Sequence, residues 1–133
     1  MKKVYFVIAV ALAALLMISM AIAEYSSGEL SFTLSNNRTF YYKNAITDNR
    51  NDAYAKTYGG TSTYNSVSAT FYWVDYYNDT MGHSSDALSS SIRAQIDAPH
   101  LQNTMKYYKV ISDHGGSYNG ESFTHTGVTT TIQ

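Results

Sequence analysis

The chain has no cysteine, one proline and one tryptophan, and only 14% of its residues are charged. Each scarcity removes a class of protein. Without cysteine there is no disulfide framework, no thiol nucleophile and no thiolate metal site. A lipid anchor on an N-terminal cysteine is excluded for the same reason, and no apolar C-terminal tail suggests a sorting or lipid-anchor signal. The few charges nearly balance, with 9 Lys and Arg against 10 Asp and Glu. That is no footprint for nucleic acid, which asks for a basic patch or stripe. After the N-terminal stretch no segment has the length and 3.6-residue period of a covering helix, so a parallel α/β sheet is not expected.

Catalytic signatures are missing as well. No Gly-x-Ser-x-Gly elbow occurs, since Gly116-Ser117-Tyr118-Asn119-Gly120 has the wrong order. His83, Ser84 and Asp86 lie close in sequence, but a triad is built from distant segments. The carboxylates fall mostly in turns, and nothing pairs them across a cleft as a glycosidase requires. No enzyme activity and no cofactor are therefore expected, and a small hydrolase stays only as a second alternative. Asp48-Asn49-Arg50-Asn51-Asp52 has the look of a calcium loop, but Arg50 occupies a ligand position and the Gly and closing Glu are lacking. It reads as a solvated loop. His114 and His125 flank a glycine-rich segment with Asp113 adjacent. If that segment is a hairpin end, the two imidazoles approach each other. They are the only candidates for a metal, and the expectation is that no metal is bound, because ligands must converge in a way spacing alone does not establish.

What is present begins with a targeting signature. Met1-Lys2-Lys3 leads into an apolar run from Val4 to Met20 and then Ala21-Ile22-Ala23. A basic start, an apolar middle and a small-x-small site make a secretory signal peptide over residues 1–23. The alternative is a retained membrane anchor, for which the run is long enough. Cleavage after Ala23 leaves 110 of the 133 residues, with 7 basic and 10 acidic side chains and a net charge of −3. The expected protein is secreted, with no membrane association after cleavage, and must hold residues 24–133 together by packing alone.

The mature part reads as strands. Val67, Ala69, Phe71 and Trp73 share one parity, with Ser68, Thr70, Tyr72, Val74 and Tyr76 on the other. A period of two in β-branched and aromatic residues marks a strand with one face in a core. Leu88, Ile92, Ala94 and Ile96 alternate in the same way and are expected to pack against it, up to Pro99. Shorter strands are expected at 29–34, 38–43, 53–58, 105–112, 122–125 and 128–132, with loops at 44–52 and 115–120 and the option of a helical turn at Ala45 and Ile46. The fold class is all-β, a small antiparallel β-sandwich of about seven short strands, with a small barrel as the alternative.

The strongest positive signal is aromatic, with 13 Tyr and 5 Phe. Tyr72, Tyr76 and one of Tyr107 or Tyr108 fall on the polar side of their strands, and Tyr72, Tyr76 and Tyr108 are taken as the candidate binding residues. Tyr with Ser, Asn and Gly is the composition of adaptable recognition surfaces. The expected function is non-catalytic binding of an extracellular or cell-wall polymer, or of a surface protein, through that Tyr-rich face.

Tyr58-Gly59-Gly60, Tyr64-Asn65-Ser66, the Ser68-Ala69-Thr70 strand, the Thr80-Met81-Gly82 turn, the alternating Ser/Ala strand and Tyr107-Tyr108 follow one another in a familiar order. From Tyr58 to Tyr108 the chain resembles the lactococcin 972-like secreted bacteriocins. That resemblance implies a β-sandwich and a toxin that interferes with cell-wall synthesis. It carries no site residues over.

Overall fold

The computed structural model describes residues 24–133; the expected signal peptide over residues 1–23, and its alternative as an anchor, lie outside the described residues. The strands are β1 (Glu24–Ser26), β2 (Leu30–Thr33), β3 (Thr39–Thr47), β4 (Ala53–Asp75), β5 (Thr80–Asp97), β6 (Met105–Tyr118) and β7 (Glu121–Thr131). All pairings are antiparallel, and the described residues are all-β, a single sheet curled on itself into a sandwich-like half-barrel. Its axis is β4, 23 residues long, in which buried and open positions alternate nearly throughout. The first part of β4, up to Tyr58, pairs with β3; the second, from Tyr64, pairs with β6; β5 runs along its other edge for both.

The bend between the two parts has a local cause. Gly59 and Thr61 to Thr63 have no partner on β5, and Gly60 (φ 85°) and Ser62 (φ 63°) are left-handed. Opposite them Ile92 (φ 66°) is also left-handed, an unusual state for a β-branched residue. Extra residues on one strand of a pair bend it and sharpen its twist. The fold therefore brings the inner face of β3 against β6 and β7.

Inside lie two apolar clusters. One gathers Ile46, Ala55, Val67, Ala69, Phe71, Ala94, Ile96, Tyr107 and Val110 with their neighbours. The other is Leu34, Phe40, Tyr42, Phe123 and Val128. The Phe40 ring sits where a Cβ on Gly59 or Gly116 would come within 2.3 Å of it, so both strands must lack a side chain there. Gly115 and Gly116 consequently belong to the middle of the β6–β7 pairing, and only Asn119-Gly120 turns. The expected loop over 115–120 shrinks to that turn, because these glycines make room for a ring rather than for flexibility.

Other expectations are corrected. The strands at 53–58 and 67–77 are one strand, and those at 122–125 and 128–132 are another. Ala45 and Ile46 continue β3, fully buried, instead of starting a helical turn. Leu88 and Ile92 are 43% and 49% exposed, whereas Ala94 and Ile96 are core. Leu88 does share a face with Val67, its register partner. But β5 is an edge strand, and only its second part, with Ala94 and Ile96, faces the apolar cluster that holds Phe71, Tyr107 and Val110. Trp73 is half-buried against the core rather than within it, lying flat on Gly82. Tyr107 takes the deep place, fully buried, with its hydroxyl donating to the Pro99 carbonyl at 2.5 Å. Burial pushes its phenol up to about 12.

Candidate functional site

Two places concentrate chemistry. The first is a layer of buried polar groups between the two apolar clusters. Asn44, Thr57, Ser112, His114 and Thr130 are all at most 5% exposed. Thr57 donates to the Ser66 carbonyl at 2.9 Å, so its oxygen accepts from His114 Nδ1 at 2.9 Å. His114 Nε2 is then the acceptor and takes the Ser112 hydroxyl proton at 2.8 Å. Ser112 Oγ accepts from Asn44 Nδ2 at 2.8 Å, and the same amide nitrogen donates to the Val128 carbonyl at 2.7 Å. Asn44 Oδ1 accepts from Thr130. Every proton in this chain has one direction, and the direction requires a neutral imidazole. Burial drives the His114 imidazole down to about 4, with the His125 ring adding to the effect.

The Ser112–His114 pair resembles a nucleophile and base in geometry. Its surroundings differ: both side chains are sealed at 1% exposure, and the imidazole is oriented by a threonine, not a carboxylate. The layer ties β3, β4, β6 and β7 together by fully used hydrogen bonds, which is how a polar core specifies one packing. His114 and His125 are indeed cross-strand partners. The Tyr42 ring packs on both, 5.1 Å and 5.2 Å away, and its hydroxyl meets His125 Nδ1 at 2.5 Å. Asp113 points the other way and accepts from the Gly127 amide. Among the described residues no group of three or more His, Asp or Glu is placed to hold a metal ion.

The second place is the end of the sheet where β4, β5 and β6 meet. Tyr72 lies on the face of β4 opposite the buried Phe71 and is half-buried. Its ring neighbours His83 across the β4–β5 pair at 5.7 Å and Tyr108 at 6.4 Å. The Lys109 ammonium stands 4.7 Å above the Tyr72 ring, a cation–π distance. Tyr108 owes its position to a bulge. Tyr72 pairs with Lys109 and Trp73 with Tyr107, leaving Tyr108 unpaired between them. Beyond this aromatic ledge a cleft of about 290 Å³ is lined by Arg50, Val74, Tyr76, Met81, Tyr108, Ile132 and Gln133. Tyr76 (62%) and Met81 (74%) are largely in solvent. Behind the ledge the outer face carries small hydroxyls, Ser66, Ser68 and Thr70 on β4 and Ser85 and Ser89 on β5. Two shallow depressions of about 250 and 160 Å³ run over them and share Asp113.

The structure thus brings Tyr72, Tyr76 and Tyr108 to one end of the sheet, with Tyr108 belonging to both ledge and cleft. Tyr76 stands in the turn after β4 rather than on the sheet face. Sequence reasoning missed Arg50, Met81, His83 and Lys109. Arg50 had drawn notice only because it spoils a calcium loop. Its distinguishing property, a left-handed backbone (φ 62°), has no reliable sequence signal outside glycine and asparagine.

No protein-family model matches the chain, and no curated protein or solved structure is significantly similar to it. The functional reading therefore rests on the residues and their geometry.

Proposed function

We propose that the protein is a secreted, non-catalytic binding module that engages an extracellular or cell-wall polymer through its tyrosine-rich end. The observation that carries the reading is the contiguity of the half-buried Tyr72 and Tyr108 and the exposed His83 with the Tyr76 cleft. Aromatic faces of this kind supply rigid contact area for sugar rings or peptide backbones. The adjoining row of Ser and Thr hydroxyls supplies hydrogen-bonding partners without bulk that would block an extended chain. With 7 basic against 10 acidic side chains, residues 24–133 suit a wall polymer or a peptide better than a nucleic acid.

Co-sedimentation with purified peptidoglycan or wall polysaccharide tests it. The protein should pellet with the polymer, and Tyr72→Ala and Tyr76→Ala should each reduce pelleting without changing the far-UV spectrum. Failure to pellet, or pelleting indifferent to both substitutions, would refute the reading. The resemblance over Tyr58 to Tyr108 supports a second reading, a toxin that interferes with wall synthesis. It predicts growth inhibition of related strains by the purified protein, and no inhibition at any dose would remove it.

A further inference from the structure

We infer that the cleft between Tyr76 and Tyr108 receives a terminal carboxylate carried on an apolar or aromatic group, with Arg50 as the carboxylate's partner. The inference deepens the reading of the tyrosine end as a binding surface and rests on it.

Arg50 sits in the turn between β3 and β4, in a left-handed conformation that costs a non-glycine residue energy. Three hydrogen bonds hold it there. Its amide donates to the Thr47 carbonyl at 2.9 Å, its carbonyl accepts from the Tyr107 amide at 2.8 Å, and its Nε donates to the Tyr107 carbonyl at 2.9 Å. The guanidinium is thereby fixed along one edge, and its two terminal nitrogens are left for another partner. Among the described residues the ion pairs are Lys43–Glu24 and His100–Asp52, so no carboxylate answers Arg50. Strain held by surrounding structure, with donors pre-oriented and unclaimed, is the arrangement of a ligand clamp.

The rest of the lining selects the ligand. Among the described residues that line the cleft, Arg50 alone has a charged side chain. Val74, Met81 and Ile132 are apolar, and Tyr76 and Tyr108 present rings. One fixed fork beside an apolar cleft suits a monoanion with a hydrophobic body. A phosphate, with more charge and a stronger hold on water, would ask for further donors. Lys106 does not supply them, because its ammonium is engaged by the Asn49 carbonyl and Asn51 Oδ1. Lys109 lies over Tyr72 on the ledge. The cleft volume of about 290 Å³ is at the lower end of small-ligand sites. It suits the last residue of a peptide or a free acylated amino acid, two sources of the same chemistry.

Titration of the intact domain with N-acetylphenylalanine, its amide, and a four-residue peptide ending in a free phenylalanine carboxylate separates the possibilities by NMR. The acid should shift the Met81 methyl and the Arg50 Nε–H resonances, and the amide should bind at least tenfold more weakly. A tighter peptide than the acid assigns the site to chain termini; equal affinity assigns it to free acids. Arg50→Gln should abolish the preference for acid over amide. Because Arg50 also supports the backbone at Tyr107, Met81→Glu is the second variant. Met81 is exposed, so the fold tolerates the change, while a carboxylate at the rim should weaken acid binding at least tenfold. Acid and amide binding alike, shifts confined to other surfaces, or a Met81→Glu variant that binds as well as the parent would each overturn the inference. Wall polymer that still pellets in a Tyr72-dependent way while the acid leaves the cleft untouched would sink this inference alone. The reverse result would sink the polymer reading and leave the carboxylate site standing.

Discussion

Lowering the pH should weaken the protein through His114 before carboxylate titration unfolds it. The imidazole is held near 4 in the folded chain against 6.5 when free, because burial and the His125 ring disfavour its charge. The unfolded chain therefore takes up a proton as the pH falls through 6.5, and the folded chain does not until about 4. Stability from this group is complete above 6.5, falls steadily between the two values, and is flat below the lower one. At about 1.36 kcal/mol for each tenfold change in proton affinity, the loss is about 3 kcal/mol. The groups around the imidazole are His125 and Tyr42, Asp113 on its own strand, and the uncharged chain of Thr57, Ser112 and Asn44. Protonation at Nε2 would turn the Ser112 hydroxyl away from its acceptor and reverse that chain. Urea unfolding of the parent and of His114→Gln at a series of pH values isolates the effect. The other titrating groups are common to both and cancel in the difference. The parent's advantage over the variant should shrink by about 3 kcal/mol across the window. A difference that stays constant with pH would show that the imidazole titrates normally and that its burial is not as described.

Gly116→Ala should destabilise by about 1–3 kcal/mol, because its Cβ would fall 2.3 Å from the Phe40 ring, and Phe40→Leu should relieve part of the cost in thermal melts. Phe71→Ala should cost about 3–5 kcal/mol in chemical unfolding, and Trp73→Ala less, because Phe71 is 1% exposed while Trp73 only lies against the core. Asn44→Ala leaves the Thr130 hydroxyl only the more distant Asn44 backbone carbonyl at 3.5 Å and removes the amide donor from Ser112 and the Val128 carbonyl. Unfolding measurements should show a loss of about 1–3 kcal/mol for each buried group left unpaired.

The alternation of Val67, Ala69 and Phe71 was legible in the sequence because both faces of β4's second part differ sharply in polarity. The same rule misplaced Leu88 and Ile92. Periodicity reports which residues share a face, but not whether another layer covers that face. At β5 it does not, and the corner at Ile92 interrupts the regular strand. Gly115 and Gly116 were read as loop because glycine signals flexibility when its neighbours are unknown; here Phe40, 76 residues away from Gly116, supplies the reason for it. Tyr107 and Tyr108 are indistinguishable in sequence, and a single bulge sends one into the core and the other to the ledge. The meeting of His114 and His125 followed from a hairpin with its turn at Asn119-Gly120. The Tyr42 ring between them, and the threading of Asn44 into the polar layer, come from long-range packing that local pattern does not encode.

Tyr108 tests the central claim most directly, because its ring belongs to both the ledge and the cleft. The measurement is co-sedimentation of Tyr108→Ala with wall polymer, alongside its melting temperature. Binding should fall at least tenfold while the fold persists, since the ring contributes little to the core. Unaltered binding by a folded Tyr108→Ala protein would place the function elsewhere and contradict the account.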